Sequence, residues 1–383
     1  MKKIFVIISL ILIIYCMPKN SYAEENSKND NSILTNQENQ FGVSDFLNKS
    51  ETYTNDLDIK QIFKEAISGK FENKNILSYI NNMFFKNIKN SISTIIGIIV
   101  VIIINSILKT ISENLGNDQV GKISSYVQYI LIVILIMKNF SDVILEIKET
   151  IKKLNAFTMS LIPLITSIMA ATGNIASSNA LEPILLIIVT FINNFIINVV
   201  IPIILVATTL GIVSKISDQI QVDKLSKFLK STTVWITTTI LTLFVTIASV
   251  EGGLTSSLDG VTAKAGKTIV ASAIPLVGKI LSDAFDTIMG YANIIKNGIG
   301  IVGIVVIVCI CIKPIIEIAS LTIIYYLGGA ICQPIADKNV VELLEQMGGT
   351  FKIFLAILFV IMTILIVGIA IAMKVSNNTV MYG

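Results

Sequence analysis

The chain contains no histidine and no arginine, and all 29 of its basic residues are lysine. Without histidine there can be no Ser-His-Asp triad and no His-Glu-x-x-His zinc helix. Cysteine is nearly as scarce, at four residues, and only Cys309, Cys311 and Cys332 lie beyond the first apolar run. An odd number of cysteines within or beside hydrophobic segments does not make a disulfide framework. The Cys309-x-Cys311 pair, with no imidazole to complete a site, fits packing better than metal binding. Charge is sparse too: 14% of residues are charged and the net charge is +3, which points to neither a nucleic-acid partner nor an acidic substrate. Isoleucine, asparagine and lysine all have AT-rich codons, so the missing arginines report genome composition rather than function.

What the chain has is hydrophobicity, at 53% of its 383 residues and a mean hydropathy of +0.78, which is a polytopic membrane protein. The first 23 residues have the form of a secretory signal. Lys2 and Lys3 precede an apolar run, and Ser21-Tyr22-Ala23 is a small-x-small cleavage site, so Glu24 would start an exported mature chain. Residues 24–40 are too polar to bury anything and are expected to be a linker. Leu57, Ile62, Phe63, Ala66 and Ile67 then predict a short amphipathic helix ending near Gly69, part of a small cap outside the membrane that runs to Lys89.

Hydrophobic stretches follow at 92–108, 123–137, 157–171, 184–213, 234–250, 299–327 and 353–373. The stretch 157–171 contains Pro163 and is short for a span. The stretch 184–213 is long and interrupted by Asn193, Asn194, Asn198 and Pro202, which fits interhelical hydrogen bonding, a transport site, or a break into two half-helices. If every stretch crosses once from an exported N-terminus, the lysine-bearing connections at 138–153 and 215–230 fall outside, against the positive-inside rule. At least one stretch is therefore expected to re-enter or lie flat, giving six to eight spans.

Residues 279–297 form an amphipathic helix about 28 Å long, close to a bilayer core. Ile280, Leu281, Ala284, Phe285, Ile288, Met289, Ala292 and Ile295 fall on one side. Lys279, Asp283, Asp286, Gly290, Asn293 and Asn297 fall on the other, within an arc of about 80°. Among uniformly apolar spans, such a stripe is a candidate wall of a polar path or a charged subunit contact, although an interfacial helix has the same pattern. Lys313 and Glu317, four apart around Pro314, are expected to form an intramembrane ion pair. Gly298-x-Gly300-x-x-Gly303 has dinucleotide-loop spacing but opens an apolar segment, where small residues serve close helix contact.

Several of these segments resemble the stage III sporulation protein AE family of endospore-forming bacteria. The blocks are Asp259-Gly260-Val261-Thr262 with Lys264 and Lys267, Ile274-Pro275-Leu276-Val277-Gly278, Leu281-Ser282-Asp283-Ala284, Asp286-Thr287, Lys296-Asn297, Gly300-Ile301-Val302-Gly303, and Gln333-Pro334-Ile335-Ala336-Asp337. They occur in order over roughly eighty residues. Lys264 stands where the family pattern has arginine, which keeps the charge but not the bidentate fork. The resemblance implies a component of the channel or secretion-like complex made in the mother cell, in the membrane surrounding the forespore. Its partners would be the other stage III subunits, a forespore membrane partner, lipid and further copies of itself.

The expectation is thus an all-α, polytopic helical membrane protein with a cleaved signal peptide and a small extracytoplasmic N-terminal region. Its divisions are 1–23 signal, 24–90 extracytoplasmic region, 91–250 first membrane helices, 251–298 polar-faced segment and 299–383 last membrane helices. No catalytic role, cofactor, metal or nucleic-acid partner is expected. The function is lining or forming the conduit of the sporulation complex, with a non-conducting scaffold as the alternative.

Overall fold

The computed structural model describes residues 38, 41–54, 58–68, 92, 96–112, 118–216, 222–247 and 278–377, with side chains in the last block described over 289–374. The signal peptide, the linker apart from residue 38, the end of the N-terminal cap and residues 259–277 of the resemblance lie outside them. The described residues are helical throughout: α1 Val43–Glu51, α2 Ile59–Ile67, α3 Ile96–Ser112, α4 Asp118–Ala171, α5 Ile175–Val213, α6 Asp223–Ile247, α7 Gly278–Cys332 and α8 Lys338–Asn377. Among them, α5, α6, Met289–Cys332 of α7 and Lys338–Lys374 of α8 are long and apolar enough to cross a membrane.

One expectation is overturned here. The stretches 123–137 and 157–171 are not separate, and 138–153 is no loop, because all three belong to the 54-residue α4. The intervening sequence has neither glycine nor proline and is rich in Lys, Glu and Ile, and its Val143, Ile144, Ile147, Ile151 and Leu154 recur at helical spacing and are buried. Charge made it look like a connection. At its end, Gly173 adopts φ 82°, which closes α4 and lets α5 begin two residues later.

The interrupted stretch is likewise continuous. Pro202 has no N–H to give the carbonyl of Asn198, and the chain absorbs this with a π-helical turn over Ile196–Val200 rather than a break. The amphipathic segment and the apolar span after it are also one helix, since α7 runs through residue 298 for 55 residues. At 1.5 Å per residue, α4 and α7 are each about 80 Å long, more than twice a bilayer core.

Contacts fix the directions. Leu161, Glu146 and Asn139 of α4 meet Gly303, Lys313 and Tyr325 of α7, and Ser125 meets Asp337 in the turn after it, so the two run antiparallel. Gly300 meets Met373 and Gly348 meets Tyr326, which makes α8 antiparallel to α7. In the same way α5 opposes both α4, through Tyr129 with Ile212 and Asn155 with Asn193, and α8, through Leu185 with Gly368. The bundle has two ends. The α3 end holds α3, the start of α4 and α8, and the ends of α5 and α7. The α2 end holds α1, α2, the end of α4 and the start of α5 and α7.

The short helices seat on the α2 end. Asp58 accepts a hydrogen bond from the Gln61 backbone N–H at 2.9 Å, an N-cap that starts α2, the short amphipathic helix expected from its apolar spacing. Phe63 and Ile67 then lie against Gly298, and Phe46 and Tyr53 meet the ring of Phe157 at centroid distances of 5.8 and 5.7 Å. The three glycines of the dinucleotide-like motif do serve close packing. A methyl on Gly298 would meet Phe63, one on Gly300 would meet Met373 and one on Gly303 would meet Leu161.

Candidate functional site

Polar groups of this apolar molecule recur at the seams between its helices, two of them between α4 and α7. At the α3 end, Lys109 and Asp337 pair at 2.7 Å, with Ser125 bonding the same carboxylate. Burial alone would raise the Asp337 pKa, but the Lys109 and Ser125 hydrogen bonds and the Lys109 charge together hold it below the usual range. One turn further in, Asn105 donates to Gln128 and accepts from Ser124 at 2.6 Å. Tyr129 donates to the Ile212 carbonyl at 2.8 Å, and Gln346 fills the space a side chain at Gly211 would need, with both its polar atoms buried and unpaired. Nearby, Lys215 pairs with Glu342.

Midway along the bundle, Asn139 donates to the Tyr325 hydroxyl at 3.0 Å. Next on the seam is a three-residue cluster. Lys313 lies 3.5 Å from Glu146, and the Glu146 and Glu317 carboxyl groups are within hydrogen-bonding reach of each other. Lys313 is therefore ion-paired across to α4 rather than simply along α7 to Glu317, because Glu146 arrives on the neighbouring helix at the same height. The Lys313 side chain is 61% exposed and that of Glu146 only 18%.

Around Glu146 the outer surface of α4 is charged. Lys138, Asp142, Glu149 and Lys153 are exposed and fall on one line of the helix, with Lys152 beside it. Towards the α2 end two more polar groups are enclosed. Thr166 donates to Glu182 at 2.6 Å, and Lys296, 0% exposed, donates to the Met373 carbonyl at 2.9 Å. That ammonium sits in the last turns of α8, where the helix dipole favours a cation.

The expected stripe on the first third of α7 is only partly described. Lys279, Asp283 and Asp286 lie on helical backbone, but their side chains are outside the described residues. Gly290 is exposed with open space where a Cβ would stand, while Asn293 and Asn297 are half-buried on the same line. Asn297 Oδ1 is buried without a partner, next to the place where α2 covers Gly298. Among the described residues no three metal-ligating side chains converge.

Sequence reasoning missed Glu146 and the burial of Lys296. A signal for the first existed: Ser125, Ile132, Asn139 and Glu146 recur every seven residues, which puts them on one face once 118–171 is taken as a single helix.

Compared with known proteins, residues 57–376 match the family model for stage III sporulation protein AE. The chain is 28% identical over 275 residues to stage III sporulation protein AE of Bacillus subtilis (strain 168), an alignment covering 72% of this chain and 69% of that protein. No solved structure matches.

Proposed function

The chain belongs to the stage III sporulation protein AE family, and from that premise we propose that it is a membrane-embedded part of the complex joining mother cell and forespore, with its polar faces lining or forming the conduit. The observation that carries this reading is the row of exposed charges on α4, Lys138, Asp142, Glu149 and Lys153, in the middle of a bundle of membrane-length helices. Charged side chains at such a place turn to water or to charged protein. The open Gly290 and the stripe from Lys279 to Asn297 extend the same reading to α7. It assigns no catalytic residue and no cofactor.

The single α4 also restores a consistent orientation. With an exported N-terminal region, α3 runs inward, and each later helix then reverses direction, giving six crossings. Lys109 and Lys122, then Lys215, Lys224 and Lys227, then Lys338 all fall at the α3 end, which is cytoplasmic as the positive-inside rule requires. The N-terminal helices α1 and α2 pack on the opposite half, the side to which a signal peptide would deliver them. This supports mother-cell membrane insertion with the α2 end toward the forespore.

A scaffold that binds the other subunits without conducting is the second reading, favoured by the glycine seam of α7 and the Asn193–Asn155 bond, which are devices of helix packing. Labelling separates the two. Single cysteines at Lys138, Asp142, Glu149 and Gly290 should react with a membrane-impermeant thiol reagent in sporulating cells, and one at Ile130 should not. Protection of all four, together with normal sporulation of an Asp283→Leu/Asp286→Leu variant that accumulates normally, replaces the conduit by the scaffold. A reporter active only after export, fused near Lys89, tests the orientation.

A further inference from the structure

The two sides of α8 are built differently. Toward α7 it packs with rings and alkyl chains on glycine: Tyr326 lies on Gly348, Phe351 meets the ring of Tyr325 at a centroid distance of 5.2 Å, and Met373 lies on Gly300. Toward α5, at the α3 end, the contacts are polar for three successive layers. Glu342, Gln346 and Thr350 follow at four-residue spacing on one line of α8, opposite Lys215, Gly211 and Thr208 of α5. Lys215 and Glu342 form an ion pair at the mouth, with side chains 16% and 35% exposed. The Gln346 carboxamide occupies the space that the missing Cβ of Gly211 leaves, and its Oε1 and Nε2 are buried with no partner among the described residues. Thr208 and Thr350, both 0% exposed, bring their hydroxyls to 3.5 Å, the outer limit of a hydrogen bond. The next positions inward on the same two lines are Ile204 and Phe354, both fully buried.

A closed seam of this kind carries its own reason to part. A buried carboxamide with neither donor nor acceptor satisfied destabilises the closed arrangement, and water admitted along the seam satisfies both. Lys215 and Glu342 already touch solvent, so hydrating the mouth costs little. From this geometry we infer that the α5–α8 seam at the α3 end is a wettable joint. In its open form α8 stays seated on α7 and parts from α5 over about 12 Å, from Glu342 to Thr350. Water then reaches Gln346 and Thr350, and the dry layer of Ile204 and Phe354 stops it there. Gly211 makes the closed form possible by seating the carboxamide, and Gln346 keeps that form shallow. The joint lies inside one chain and away from the charged outer row of α4, so it is independent of whether the chain conducts.

Thiol labelling of the full chain in lipid nanodiscs, located by peptide mass spectrometry, tests the joint. Thr350→Cys is a small change, and the native Cys311 of α7, also 0% exposed, serves as the reference in the same sample. With a small water-soluble methanethiosulfonate, the cysteine at 350 should react about tenfold faster than Cys311 or more, because only the former lies on a seam that opens. Gln346→Met keeps the length of the side chain without its polar atoms, and in the Thr350→Cys background it should slow labelling at 350 by about tenfold. Gly211→Ala unseats the carboxamide and should speed that labelling, and adding Gln346→Ala, which clears the space again, should reverse the gain. A cysteine at 350 as slow as Cys311 overturns the proposal. So does a Cys311 as fast as the cysteine at 350, which is general loosening, and so does a rate at 350 unchanged by Gln346→Met.

Discussion

On α3 and the first half of α4, the outward positions are Val100, Ile104, Ile107, Ile123, Ile130 and Ile134, all exposed and apolar, while Asn105, Gln128, Tyr129 and Gln346 sit inside. Toward the α2 end the outside changes: the outer faces of α1, α2 and α4 carry Asp45, Lys49, Lys60, Lys64, Lys152 and Lys153, while the interior, filled by Ile295, Ile299, Val302, Phe157 and Leu161, still encloses Lys296 and Thr166. The change occurs within single helices, at about residue 137 of α4. An apolar outer face suits lipid; a charged one suits water. The flank made by α5 and α6 does not follow the change, since Ile187, Phe191, Trp235, Leu243 and Ile247 stay exposed there. The polarity of the exposed residues thus differs by side as well as by height, as the proposed wall with one wet face would require.

The hardest test of this contrast is to overfill the interior of the α2 end. Gly303→Leu would drive its side chain into Leu161 and Ile369, and a cost of more than about 3 kcal/mol should abolish accumulation of the protein on immunoblots. Next in size is a matched pair on the outside of α4. Ile130→Asp places a carboxylate where lipid is expected and should cost about 2.5–3.5 kcal/mol, whereas Ala156→Asp, also exposed, should change stability by no more than about 0.5 kcal/mol. Equal protein levels for the two variants would erase the distinction between the ends.

Lys296→Ala should cost about 1.5–3 kcal/mol, from the lost charged hydrogen bond to Met373 and the space left behind, as read by thermal unfolding in detergent. Lys296→Met, which refills the space, should recover part of it. The smallest effect belongs to the α3 end. Asp337→Asn should lower stability by roughly 0.5–1 kcal/mol at neutral pH. Because the folded pKa of Asp337 is depressed, its contribution is present above the ordinary carboxylate range and is lost as pH falls through the folded value, so the two proteins should converge in acid.

Much of this was legible in the residues. Hydropathy marked the membrane helices, the apolar spacing of Ile62, Phe63, Ala66 and Ile67 marked α2, and the small-residue motif at Gly298, Gly300 and Gly303 gave close helix contacts. Where reasoning went astray, charge was mistaken for solvent. Lys138 to Lys153 looked like a loop because lysine and glutamate are abundant there, yet the same residues are strong helix formers and their apolar partners keep the helical period. Lys296 failed in the opposite sense. On a projection it is an anomaly on an apolar face, and only the arrival of the α8 terminus explains it, which is a tertiary fact that no local pattern contains. Glu146 was hidden by the same misplaced loop.

Pro314 leaves the Ile310 carbonyl without its helical donor, so α7 is weakened as a beam right beside Lys313 and Glu317. From Lys313 to Gly278 the helix extends for about 52 Å. A tilt of only about 5° at that joint would swing the far tip by roughly 4–5 Å, and the tip is where the Asp283 and Asp286 stripe begins. Long helices with a soft point beside a charge act as levers, and a subtle event at the fulcrum is magnified at the end of the arm.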